Sequence, residues 1–138
     1  MTAFVLDASI ALAWCFADEA TPAADALLDR LADEEAAAPA LWRLEVAKAL
    51  AMAERRDRLS AAGLTRSVAL LQRLTVALDA EGTDRAFHDL LELARSERLT
   101  VYDAAYLELA LRLGVPLASK DAELRKSAAR LGLALLGG

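Results

Sequence analysis

The sequence predicts an α/β fold of three layers, a mainly parallel central sheet of about five short strands flanked by helices. Three observations carry this expectation. Helix formers dominate, with 33 Ala and 28 Leu against seven Val plus Ile, so an all-β arrangement is disfavoured. Five apolar runs recur, each only about four residues long and too short for a helix. Capped helical segments separate those runs, and strands joined through helices imply right-handed crossovers into a parallel sheet. The length suits one domain over residues 1–138, without repeats or linkers.

The elements follow in order. Ala3 to Leu6 reads as a strand ended by Asp7, with Ser9 placed to cap a helix through about Phe16. Thr21-Pro22 is an N-cap followed by proline at the first helical position, opening a helix to about Ala32. Ala36 to Ala38 is a second short strand, and a helix runs from about Ala40 to Arg56. Ser60 caps the next helix, to about Leu74, and Thr75 to Leu78 is a third strand. Gly82 interrupts the chain, and Thr83 is expected to start a helix to about Arg98. Thr100 caps the following helix, which Gly114 ends ahead of a strand from Val115 to Ala118. A helix from about Asp121 to Leu131 and a strand from Leu133 to Leu136 complete the chain.

Charge and composition narrow the function. The net charge is −5 and the pI about 4.9, which argues against holding nucleic acid by bulk electrostatics alone. Cys15 and His88 are the only Cys and His, too few for a zinc site, whereas hard cations with oxygen ligands remain open. With one cysteine, no basic leader and no long uncharged apolar segment, a cytoplasmic protein without membrane association is expected.

In a parallel sheet, strands end and crossover helices begin at one edge, where such folds place ligands. Four acids fall there: Asp7 after the first strand, Glu45 in the first turns of the helix after Pro39, Asp103 in the first turn of the helix capped by Thr100, and Asp121 shortly after the strand ending at Ala118. Glu45 shares a helical face with Trp42, Val46, Ala49, Met52 and Ala53, so its carboxylate needs a partner. Glu108 and Arg112 form an i,i+4 pair read as the solvent side of their helix. Asp103 lies about 140° away and faces inward beside Tyr106 and Leu107. Each acid also has a plain reading: Asp7 and Asp121 as helix caps, Asp103 as a helix-dipole partner, Glu45 in a private ion pair. Two carboxylates about 4 Å apart at an effective dielectric near 20 repel by roughly 4 kcal/mol, so a true cluster must take up protons or a cation. A divalent cation there would support phosphodiester hydrolysis and supply the attraction for phosphate that the net charge denies.

The segments FVLDASIALAW, LWRLEVAKAL, TVYDAAYLELA and LASKDAELRKSA, four motifs in order over essentially the whole chain, resemble the PIN domain and within it the VapC-type toxins of VapBC toxin–antitoxin systems. The resemblance implies a PIN-like fold and a metal-dependent endoribonuclease, the toxin of a type II toxin–antitoxin pair. It implies that Asp7, Glu45, Asp103 and Asp121 bind Mg²⁺ or Mn²⁺ for hydrolysis of single-stranded RNA, with Ser9, Lys48 and Ser119 expected to support the site. A cognate VapB-type antitoxin covering the acids, a homodimer and a higher toxin–antitoxin assembly are further implications. Two departures stand out: Lys48, where the family often has Asn, and Ser119, where Thr is common. Lys48 could pair with Glu45, meet the scissile phosphate or be an ordinary exposed lysine.

Lys120, Arg125 and Lys126 flank Asp121 and are candidates for RNA phosphate contacts. Arg55, Arg56 and Arg58 read as a solvated helix end, or as contacts to an RNA backbone. Trp14, Phe16 and Trp42 read as packing before base stacking, Cys15 as a small core residue, and His88 lies far from every motif. A haloacid-dehalogenase-type phosphatase wants a second Asp where Ser9 stands, and a receiver domain wants paired acids near the first strand, which are lacking. A catalytically inactive PIN-like module that binds RNA or protein remains the alternative.

Overall fold

The computed structural model describes residues 1–138. Five strands, β1 (Thr2–Leu6), β2 (Glu35–Pro39), β3 (Val76–Asp79), β4 (Leu117–Ala118) and β5 (Leu135–Leu136), form one sheet in the order β3-β2-β1-β4-β5. Every pairing is parallel. Seven α-helices flank it: α1 (Ala8–Cys15), α2 (Pro22–Arg30), α3 (Trp42–Arg55), α4 (Ala61–Gln72), α5 (Leu91–Glu97), α6 (Val101–Leu113) and α7 (Ala122–Arg130). The expected α/β architecture is therefore the observed one. No helix is long and apolar enough to cross a membrane.

Burial explains which runs became strands. Phe4, Val5 and Leu6 of β1 and Ala36 to Ala38 of β2 are buried without alternation, as parallel strands covered on both faces require. On β2 the small alanine side chains let α6 approach, and Tyr106, Leu107, Leu109 and Ala110 of that helix are almost fully buried. At the edge, β3 exposes its middle residues.

Local chemistry sets most helix starts as expected. Thr21, Ser60 and Thr100 accept hydrogen bonds from the backbone N–H groups of Ala24, Gly63 and Asp103, and Gly114 ends α6 in the left-handed region at φ 67°. Four expectations need correction. Ser9 lies inside α1 rather than capping it, because Asp7 occupies the N-cap position. The helix expected from Thr83 is replaced by a 3₁₀ turn over Gly82–Arg85, a wide π turn over Ala86–Leu90 and only then α5. There, Asp79 accepts the Gly82 N–H at 2.9 Å, and this side-chain turn competes with a regular helix start. β4 starts at Leu117, not Val115, since Pro116 has no N–H for the ladder.

Glu108 and Arg112, expected on the solvent side, are instead largely enclosed. Glu108 is 7% exposed, and Arg112 bridges it at 2.7 Å to Asp79 at 2.8 Å. The irregular segment from Gly82 to Leu90 folds over α6, and Arg85 adds a second cation 3.7 Å from Glu108. Hydrogen bonds from Arg112, aided by the Gly82 and Glu81 backbone, hold the Asp79 carboxyl below its ordinary value.

Candidate active site at the sheet edge

The chain leaves β1 toward β2 and β3 on one side and later fills β4 and β5 on the other. The direction of winding therefore reverses between β1 and β4, which opens a crevice at the carboxyl ends of those two strands. Asp7 follows β1 and Asp121 follows β4, so they border that crevice directly. Glu45 enters from α3, and Asp103 from the first turn of α6.

Asp7 is the most deeply set, 5% exposed, and its environment is specific. Ser9 and Ser119 both donate from Oγ to Asp7 Oδ2, at 2.6 and 2.8 Å. Each hydroxyl also accepts a backbone N–H: Ser9 from Lys120 at 2.9 Å, Ser119 from Asp121 at 3.0 Å. A hydroxyl that already accepts an N–H is oriented to donate, so the two serines tie the β4–α7 loop to the β1–α1 loop through one carboxylate oxygen. Ser9, unneeded as a cap, thereby acquires its role.

Glu45 is half-buried beside the stripe Trp42, Val46, Leu50 and Ala53. Its required partner is a hydroxyl rather than a cation: Tyr106 Oη donates to Glu45 Oε1 at 2.5 Å. In the sequence the Tyr106 side chain is legible only as a neighbour of Asp103 on the inner face of α6, and its one signal is the i+3 spacing from that acid. Asp103 is half-buried, and Asp121 is exposed and caps α7 by accepting the Leu124 N–H on Oδ1 at 2.8 Å. The plain capping reading of Asp121 is thus true and leaves its second oxygen outside that bond.

The acids share one electrostatic field. Burial pushes the Asp7 carboxyl above its ordinary value, the two serine hydroxyls pull it back, and Asp121 adds repulsion. Burial likewise raises Glu45, against the Tyr106 hydrogen bond, with repulsion from Asp7 and Asp103. Asp103 is raised by burial and by the charges of Asp121 and Asp7. No three acids are drawn together tightly enough to form a ready-made metal cage. What the edge offers is an all-oxygen donor set, carboxylates that burial and mutual repulsion hold under strain, and hydroxyls that orient them. That donor chemistry fits a hard divalent cation, which would relieve the repulsion.

Of the remaining expected residues, Lys48 is exposed, makes no ion pair and lowers Glu45 only weakly through its charge. Lys120 and Arg125 are half-buried and Lys126 is exposed on the same side as Asp121. Arg58 is tied to Asp18 and Glu19 and stacks on Phe16 with its guanidinium carbon 4.1 Å from the ring centroid, whereas Arg55 and Arg56 are exposed. Phe16 and Trp42 are buried, Trp14 donates to the Ala24 carbonyl, Cys15 is half-buried and His88 is exposed.

A parallel sheet wound 3-2-1-4-5 with acids at its switch point describes an α/β protein whose candidate ligand site lies at the carboxyl edge of the sheet. The PIN domain family matches residues 4–129, and the chain belongs to that family, whose members are generally nucleases that use divalent metals. Its structure is similar to the crystal structure of PAE2754 from Pyrobaculum aerophilum, with a TM-score of 0.70 and 26% identity over 97% of this chain and 83% of that one. No curated protein matches the chain at a significant level.

Proposed function

We propose that the protein is a metal-dependent endoribonuclease, the toxin of a type II toxin–antitoxin pair of VapBC type. The observation that carries the reading is the convergence of Asp7, Glu45, Asp103 and Asp121, from four separate segments, on the switch-point crevice, where burial and mutual repulsion raise three of them. Mg²⁺ or Mn²⁺ held by these acids would neutralise a phosphodiester and activate water.

The chain's own groups prepare that site. Ser9 and Ser119 fix the rotamer of Asp7 through Oδ2. Tyr106 does the same for Glu45 through Oε1, and Asp121 is fixed by its capping bond. Beside Glu45, Leu44 and Tyr102 are 75% and 64% exposed and line a shallow cleft with Lys48. Apolar surface at the rim of an acid cluster is suited to burial by a protein cover, which supports a VapB-type antitoxin over the site. A homodimer completes the proposed assembly.

The test is expression of the wild type and of Asp7→Ala and Asp103→Ala, with RNA ends mapped with and without Mn²⁺. Growth arrest and new cuts by the wild type alone are expected, and co-expression of a cognate VapB-type antitoxin should relieve them. Equal effects of all three proteins would refute the reading, and binding without cutting would favour the inactive module.

A further inference from the structure

A second charged cluster, opposite in sign to the acids, sits beside them. A cleft of about 430 Å³ is lined by Lys120, Arg125, Lys126 and Thr21 and closed by Gly137 and Gly138. Lys120 and Arg125 are half-buried, and neither meets a carboxylate. Lys120 Nζ donates to the Glu19 carbonyl at 2.7 Å, and Arg125 Nη1 to the carbonyls of Ser119 and Leu136 at 2.8 and 3.0 Å. Lys126 reaches only Glu123, at 3.6 Å and in solvent. The other half-buried cations differ: Arg30, Arg85 and Arg112 each lie against an acid.

Carbonyl oxygens position a cation without cancelling its charge, and a cation withdrawn from water without a counter-charge is costly. In a chain of net charge −5, this cleft is therefore a built concentration of positive charge that an anion would balance. Its location states which anion. The Lys120 N–H bonds to Ser9 Oγ, and the same oxygen donates to Asp7, so cleft and acid site share one wall.

We propose that the cleft binds a backbone phosphate of the RNA next to the one that is cut, and so requires a substrate extending at least one phosphate beyond the scissile bond. This rests on the ribonuclease reading. Lys120 and Lys126 are binding residues. Arg125 is chiefly a positioning residue that fixes the cleft wall through two carbonyls.

Binding is measured without metal, so that no cleavage takes place, on a single-stranded oligoribonucleotide, by fluorescence anisotropy across a salt series. Lys120→Ala and Lys126→Ala should each weaken binding roughly tenfold or less and lower the salt slope by about 0.7 for each phosphate no longer neutralised. With cleavable RNA and Mn²⁺ the same variants should raise KM and leave kcat nearly unchanged, because the acids are untouched. Arg125→Lys, which keeps the charge, controls for loss of fold by circular dichroism. Unchanged affinity and salt slope in both lysine variants overturn the proposal. So does competition by inorganic phosphate as strong as that by RNA, which would make the cleft a free-anion site. Weakened binding in the variants together with no cleavage by the wild type supports the cleft and overturns the nuclease reading alone.

Discussion

Tyr106 Oη donates a 2.5 Å hydrogen bond to Glu45 Oε1 across 61 residues of sequence, joining α6 to α3 at the edge where the acids meet. Tyr106 is completely buried, so its hydroxyl has no water to turn to, and burial together with the Glu45 carboxylate pushes the phenol far above its ordinary value. The bond offsets part of the rise that burial and the repulsion of Asp7 and Asp103 impose on the Glu45 carboxyl.

Tyr106→Phe keeps the ring and removes the donor. Stability should fall by about 1.5–3 kcal/mol, the usual value of a hydrogen bond to a charged group. Glu45 loses an influence that lowers its pKa, so the pH midpoint for Mn²⁺ binding should move upward. A purely packing role for Tyr106 would leave that midpoint in place, and calorimetric titration across pH distinguishes the two.

Asp7→Asn should stabilise the metal-free protein at neutral pH while abolishing cleavage. The sign follows from linkage. An acid whose folded pKa is raised binds more protons folded than unfolded, so folding stability falls as pH rises from the ordinary carboxylate value through the raised one. The wild type should accordingly gain stability on mild acidification from neutral pH, and Asp7→Asn should flatten that dependence. Urea denaturation at a series of pH values measures both, and a wild type that only loses stability over that range contradicts the burial described for Asp7, Glu45 and Asp103.

Arg112→Ala leaves Glu108, 9% exposed at its side chain, and Asp79, 14%, without their bridging cation. A loss of about 3 kcal/mol is expected, since breaking an enclosed ion pair strands a charge. The opposite linkage applies to Asp79: its depressed pKa contributes stability above the ordinary value of 3.8 that is lost as pH falls through the folded one. The variant should therefore lack that contribution to acid-side stability. Guanidinium titration of the variant at neutral and acid pH tests it, and a change below about 0.5 kcal/mol would show the network to be superficial.

Particular residues show how far the sequence speaks. Thr21, Ser60 and Thr100 announce helix starts because their caps depend on neighbours three residues away, and Gly114 announces an end for the same local reason. Asp7 and Asp121 are legible at the sheet edge because a parallel topology puts every strand end on one side. Several features that escape a sequence reading involve long-range partners. Glu108 and Arg112 carry an exposed helix pair's spacing, yet Asp79, 33 residues before Arg112, and the overlying 82–90 segment enclose them. Ser9 reads locally as a cap, and only the family resemblance ties it to the acids; the bond it shares with Ser119 on Asp7 joins segments 112 residues apart. Nothing local to Glu45 names Tyr106 as its donor.

The central claim is that Asp7, Glu45, Asp103 and Asp121 together grip one class of hard divalent cation. Calorimetric titration of the purified protein with Mn²⁺ at neutral pH, in buffers of differing ionisation enthalpy, tests it most directly. A saturable site that releases protons on binding and is lost in Asp7→Asn and Asp103→Asn is expected. Binding that is absent from the wild type, or equal in all three proteins, contradicts it.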